Sequence, residues 1–399
     1  MERYFHRSML FKCLLVLVLQ TIPKLIPAQS IVPGESIFDT TGYVEYLPGN
    51  LPIVISVPHG GYLQPLDIPR RNCSGCVYNR DLFTQELARS IIDDFVATTG
   101  CYPHVIINLL HRNRFDANRS IETAADGDPT VEDAYHSYHA FIDLAKAQVE
   151  TDYGRGLFLD LHGHAHTIQR VELGYRLSRS QLQQTDSQLN QATLIEESSI
   201  RTLVGDNLQA LSHAELLRGS TSLGTLLEDQ GFRAVPSRQD PFPIGSEAYF
   251  SGGYNTGRHS SENGGRIDGI QIECNQDIRF DETTREKFAD SLTLSINEYL
   301  QLHYFDQYQS NYCGLTTQTS EESKPERITV FPNPARDQIN LNTPTVPLQL
   351  TIQNHLGQKV RSLSWKGGPI DIQDLPSGFY LISIRKNKEW ISTQPLIKH

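Results

Sequence analysis

The residues best equipped for chemistry fall in five short stretches, each beside an apolar run. Residues 156–166 read Gly-Leu-Phe-Leu-Asp-Leu-His-Gly-His-Ala-His, so that Asp160 ends an apolar run and His162, His164 and His166 follow it. Imidazoles ligate metals and carry protons near neutral pH. His59 follows the run Ile53–Val57 and stands beside Gly60 and Gly61, which permit a tight turn and close approach of a ligand. Asp81 comes just before an amphipathic pattern at Leu82, Phe83, Leu87, Ala88, Ile91 and Ile92. Beyond Leu110 come Arg112, Arg114, Asp116, Asn118 and Arg119. Arginine forks grip carboxylates through paired hydrogen bonds, and an Asn beside them adds an oriented amide. Glu273 lies near the end of the run Gly269–Asn275. Two His and one carboxylate, with a position left open for water, are what a catalytic zinc requires. A further carboxylate near such a water can act as its base.

The elements that must position these groups follow from periodicity. Ile53–Val57, His104–Leu110, Leu157–Leu159 and Gly269–Asn275 read as strands. The pattern after Asp81 and the stretches 131–150, 185–230 and 283–305 read as helical. Strand, polar site, helix, repeated in that order, predicts an α/β fold with a doubly wound mixed or parallel sheet, which gathers ligands beyond the carboxyl ends of its strands. Gln271 and Glu273 alternate with Ile270 and Ile272, which puts the polar pair on one face. The Gly/aromatic stretch Tyr249–Tyr254 suits a pocket wall. Each group also has a plainer reading. Asp81 can be an ordinary acid at a helix start, the arginines a solvated salt-bridge loop, and Glu273 the partner of Arg279 or Arg266.

The chain of 399 residues has a formal charge of −11, unevenly spread. Four basic residues against one acid over 1–28, and nine against four over 327–399, leave −19 for the residues between. An acidic body of this kind argues against a nucleic-acid partner. Arg3, Arg7 and Lys12, then the apolar run Cys13–Leu19 and the small-residue end at Ala28, predict a signal peptide over 1–28. That run is too short for a transmembrane span, and no other segment is long enough. Of the cysteines, Cys73, Cys76, Cys101, Cys274 and Cys313 remain after the signal, and an exported protein favours a disulfide at Cys73, Cys76 or Cys101. An odd number leaves at least one thiol free or paired with another chain. Residues 316–326 are polar and aperiodic and read as a linker. Beyond them, short alternating segments between turn signals predict a small β-sandwich over 327–399.

As an ordered set, Val57-Pro58-His59-Gly60-Gly61, Asp81, Arg112 with Asp116-Ala117-Asn118-Arg119, Asp160-Leu161-His162-Gly163 and Gln271-Ile272-Glu273 resemble the N-formylglutamate amidohydrolase family. That family is similar in fold to zinc carboxypeptidases, and the likeness runs over roughly residues 50–300 of the 29–315 domain. It implies one zinc per chain held by His59, Asp81 and His162, Glu273 as general base, and Arg112, Asn118 and Arg119 as a clamp for a substrate carboxylate. Tyr62 stands where zinc carboxypeptidases carry a Glu three residues after the first His. The third ligand stays open between Asp81 and His164 or His166. The tail, with Val330-Phe331-Pro332-Asn333-Pro334-Ala335 and Leu375-Pro376-Ser377-Gly378-Phe379-Tyr380, resembles the sorting domain of the type IX secretion route of Bacteroidetes. This implies a secreted or cell-surface protein handled by that machinery. The expectation is a secreted zinc-dependent amidohydrolase of N-acyl or peptide-like amides. Alternatives are a metallocarboxypeptidase or peptidoglycan-directed amidase, and a non-catalytic secreted binding protein. No Gly-x-Ser-x-Gly elbow supports a serine hydrolase.

Overall fold

The computed structural model describes residues 32–306 and, within 328–398, all but 333–334, 344–345, 355–358, 377 and 387–388. The expected signal peptide, the linker 316–326 and Cys313 lie outside the described residues. Among the described residues no helix is long and apolar enough to cross a membrane.

Eight strands form one sheet. They are β1 (Ile37–Phe38), β2 (Val44–Leu47), β3 (Ile53–Val57), β4 (His104–Asn108), β5 (Gly156–Gly163), β6 (Val171–Gly174), β7 (Ala234–Val235) and β8 (Ile267–Cys274). Their order is β1-β2-β4-β3-β5-β8-β6-β7. The central four, β4, β3, β5 and β8, are parallel, while β2 and β6 join them antiparallel. The sheet is therefore mixed, with the site-bearing strands in its parallel middle. That requires coverage on both faces, and the core is split accordingly. Ile53, Ile55, Val57, Leu157, Leu159, Leu161, Ile270 and Ile272 pack on one face with the helices Thr84–Thr99 and Glu282–His303. Val54, Ile106 and Phe158 pack on the other with the helix Pro129–Tyr153, whose Asp128 N-cap accepts from the Val131 N–H at 3.1 Å.

Three local readings are corrected. Asp160 does not end its strand: β5 runs on through His162 to Gly163. A buried carboxylate fits inside a strand here because Ser56 Oγ (2.5 Å), His162 Nε2 (2.9 Å) and Asn255 Nδ2 (3.3 Å) satisfy it. The helix after Asp81 begins only at Thr84, after Phe83 turns the chain through a left-handed conformation (φ 68°). Asp81 is thus in the turn before the helix, and its side chain is released from capping. The 185–230 stretch is also broken, into short helices such as Ser212-capped His213–Arg218 and Ser222-capped Leu223–Asp229.

The tail forms two antiparallel sheets of three and four strands, the larger ordered Lys359–Trp365, Leu348–Asn354, Gly378–Lys386, Glu389–Lys398. Ile339, Leu350, Ile352, Trp365, Ile382 and Leu396 form a core of their own between them. Cys73 and Cys76 form a disulfide, Cys101 is also disulfide-bonded, and Cys274 is a buried free thiol.

Candidate active site

His59, Asp81, Arg112, Asn118, Arg119, His162 and Glu273 line one cleft of ≈ 650 Å³ at the carboxyl ends of the parallel strands, and His164 and His166 are not part of its lining. β3 and β5 deliver His59 and His162, whose rings lie 4.8 Å apart. The Asp81 N–H donates to the His59 carbonyl at 3.0 Å, fixing the turn that brings Asp81 between them. Gly60 permits this close packing, since a Cβ there would meet Thr84 Oγ1 at 2.6 Å and the Gln85 backbone nitrogen at 2.9 Å.

The far nitrogen of each imidazole is held by a carboxylate. Asp116 Oδ1 lies 2.6 Å from His59 Nε2, and Asp160 Oδ2 lies 2.9 Å from His162 Nε2. Both Nδ1 atoms are thereby turned to Asp81 Oδ2, at 3.3 and 3.2 Å, and the Gly163 N–H reaches the same oxygen at 3.2 Å. His59, Asp81 and His162 are buried, and one ligand atom from each lies within 4.8 Å of the others. Carboxylate behind imidazole, with the opposite nitrogen facing a shared point, is the arrangement that orients histidines on a metal. The donor set of two nitrogens and one oxygen fits zinc with a place left for water. His164 and His166 group instead with Glu172, apart from these three.

The charges around this point are strongly coupled. Burial would raise the Asp81 carboxyl, but the adjoining His59 and His162 overcome that and hold it well below its ordinary value. Asp116 is lowered in the same way by His59 and Arg112 against the burial penalty. Burial opposes the imidazolium of His162, yet Asp160 and Asp81 raise its pKa well above the usual value. Glu273 goes the other way. Burial pushes it up to about 8, with His162 opposing and Asp81 and Glu172 adding to the rise.

Glu273 is the ladder partner of His162 across β5 and β8. Its Oε1 accepts from Gln271 Nε2 at 2.9 Å, and its Oε2 is buried without a hydrogen-bond partner. Neither Arg279 nor Arg266 pairs with it. Arg279 donates to the carbonyls of Cys274 (3.0 Å), Leu82 (2.5 Å) and His164 (2.9 Å), and Arg266 to Gly154 and Asp206. Arg279 therefore ties together the three segments that follow Asp81, His162 and Glu273. Gly163 makes room for it, because a Cβ there would stand 2.2 Å from its Nε.

The expected clamp residues differ in how far they are already engaged. Arg112 Nε donates to Asp116 at 3.0 Å, and its Nη1 lies 3.5 Å from Asp81. Asn118 accepts from the Asn255 N–H at 2.8 Å, and its Nδ2 lies 3.3 Å from His162 Nε2. Arg119 is half-buried, donates only to its neighbour's carbonyl at 2.7 Å and makes no ion pair among the described residues. Its guanidinium fork remains available. The Gly/aromatic loop forms the opposite wall through Tyr249, Phe250 and Gly252, as its composition indicates. Sequence reasoning missed the supporting roles of Asp116 and Asp160, and it missed Glu172 altogether. The signal for Glu172 was a lone acid within the apolar run of residues 171–173.

Residues 329–399 match the family model of the secretion system C-terminal sorting domain. The chain thus carries an export address and is secreted or held at the cell surface. No curated protein matches the chain. Among solved structures it is similar to an N-formylglutamate amidohydrolase from Ralstonia eutropha JMP134, at 15% identity and TM-score 0.39 over 65% of this chain and 98% of that one. A gene product from Agrobacterium tumefaciens is similar at 12% identity and TM-score 0.40, over 66% and 98%. The cell shape determinant protein Csd4 from Helicobacter pylori is similar at 9% identity and TM-score 0.32, over 87% and 95%. At these scores the likenesses carry no weight for activity, which rests on the geometry of the cleft.

Proposed function

We propose that the chain is an exported, zinc-dependent hydrolase of amide bonds, acting on N-acyl amino acids or peptide-like substrates that bear a carboxylate. The observation that carries this reading is the convergence of His59 Nδ1, His162 Nδ1 and Asp81 in a cleft that also holds Glu273 and Arg119. When bound by those three residues, zinc supplies a Lewis acid that polarises the scissile carbonyl, lowers the pKa of water and favours the ionised form of Glu273. Asp116 and Asp160 keep both imidazoles in the tautomer that presents Nδ1. Glu273 takes the proton of the attacking water through its unpartnered Oε2 and returns it to the departing amine as the C–N bond breaks. Arg119 binds the substrate carboxylate through its fork, which fixes the carbonyl over the ligand group. Arg112 neutralises Asp81 and Asp116 and joins the clamp from that position.

The test is elemental analysis of the purified protein together with a screen of N-acyl amino acids and short peptides. Zinc in the wild type, loss of one equivalent in His162→Ala and cleavage of free-acid substrates are expected. A metal-free protein that binds such compounds without cleaving them is a binding protein and overturns this reading.

A further inference from the structure

We infer a second cation site, built from His164, His166 and Glu172 and distinct from the catalytic group, that takes a divalent transition metal of zinc-like preference. One ligand atom from each of the three residues lies within 4.8 Å of the others. His164 Nε2 donates to the Arg170 carbonyl at 2.8 Å, so its Nδ1 carries the lone pair. That is the backbone-fixed tautomer of a ligating imidazole. The lone pair now accepts the His166 N–H at 3.1 Å, a contact that metal binding replaces. Glu172 Oε1 is 2.9 Å from His166 Nδ1, where the cation takes the place of the shared proton.

Charge is the second argument, and it is independent of the ligand count. Glu172 is fully buried and is the ladder partner of Glu273, itself only 5% exposed. Among the described residues no Lys or Arg pairs with either. The nearby Arg170 is paired with Glu247 at 3.0 Å, and Arg279 is spent on carbonyls. The charge of the catalytic group serves Glu273, so the buried Glu172 carboxylate is the one that still needs a compensating positive charge. A cation between His164, His166 and Glu172 provides it. Two imidazoles and a carboxylate are ligands of the borderline metals, with zinc foremost. The structural consequence is at the cleft wall. Glu172 Oε2 accepts the Phe250 N–H at 2.8 Å, and the His166 ring stacks on the Phe250 ring at 4.6 Å between centroids. The second cation thus fixes the aromatic side of the catalytic cleft.

The inference goes beyond the proposed reaction and is tested apart from it, by titrating metal-stripped full-length protein with Zn²⁺ and measuring bound zinc after dialysis. Two equivalents are expected in the wild type and one in His166→Ala, Glu172→Gln and His162→Ala. None is expected in the His162→Ala/His166→Ala double variant. Circular dichroism checks that each variant is folded. Saturation of the visible absorption of wild-type protein with Co²⁺ at two equivalents gives the same answer without any substitution. A wild type that binds one equivalent, lost in His162→Ala but kept in His166→Ala, overturns the second site and leaves the hydrolase intact. A wild type that binds none overturns both.

Discussion

Asp116 Oδ1 sits 2.6 Å from His59 Nε2, so that a buried carboxylate holds the ring from behind and turns Nδ1 into the cleft. Arg112 braces the same carboxylate from its other oxygen. Asp116→Asn keeps the shape but removes the charge that sets the tautomer. Losing a partner of this kind costs about 10–100-fold in metal affinity. Zinc competition with a chromogenic chelator should show that weakening with an unchanged fold. Wild-type affinity in Asp116→Asn would mean that His59 needs no such partner.

Arg119 and Arg112 should separate in their kinetics. Arg119 makes no ion pair among the described residues and spends only Nη1 on a backbone carbonyl, and a hydrogen bond between charged partners is worth about 1.5–3 kcal/mol, so Arg119→Ala should raise KM roughly ten- to a hundred-fold. Arg119→Lys keeps the charge without the fork and should recover only part of the loss. Arg112→Ala should act on metal retention as well, because it bares Asp81 and Asp116. Equal cleavage of a substrate and its amidated form would show that neither arginine grips a carboxylate.

The order of the site was legible in the sequence because His59, His162, Glu273 and the Arg112–Arg119 cluster stand at or just beyond the ends of apolar strands, and parallel strands bring their ends to one edge. The pairing of Gln271 and Glu273 on one face came from alternation alone and agrees with β8, where Ile270 and Ile272 pack in the core. What was not legible is how buried polar groups satisfy one another. Asp160 looked like a strand terminator, because nothing local shows that Ser56, 104 residues away in sequence, and Asn255 would receive it. Asp81 looked like a helix-start acid, because the left-handed turn at Phe83 leaves no mark in the periodicity. Arg279 looked like an ion-pair partner for Glu273, whereas three carbonyls claim its donors.

His104 should make the fold acid-sensitive. Its Nδ1 accepts from the Gly49 N–H at 3.1 Å and faces the Tyr46 hydroxyl at 2.9 Å, and burial lowers its pKa from 6.5 to about 4. Between those values the unfolded chain binds more protons, so stability rises with pH across that window and is fully present above 6.5. The shift corresponds to ~3 kcal/mol lost on acidification. Denaturant midpoints should fall from pH 7 to pH 4, and less so in His104→Gln. The same fall in both proteins would assign the effect to other groups.

The sorting domain should be separable from catalysis. Its apolar core is drawn from its own strands, and every cleft residue lies between His59 and Glu273. A chain ending at residue 326 should be active in cell extracts and absent from the medium and cell surface. An extract in which the shortened chain is folded but inactive would show that the tail does more than direct export.

Glu273 should be the general base, and its position makes the test a clean one. It neighbours His162 across the ladder, its Oε2 is buried and unpartnered, and neither nearby arginine neutralises it. A carboxyl whose pKa burial pushes up to about 8 is a strong proton acceptor once ionised, and the positive charge held by His59, Asp81 and His162 would ionise it at neutral pH. Glu273→Gln keeps the shape and the contact with Gln271 while removing the base. It should retain zinc and substrate binding and lose about 10²–10⁴-fold in kcat, the usual contribution of general acid–base catalysis. The acid limb of the kcat/KM profile, which reports ionisation of the base in the free enzyme, should disappear with it. Release of zinc from Glu273→Gln would make Glu273 a ligand. Unchanged turnover would place the base elsewhere in the cleft.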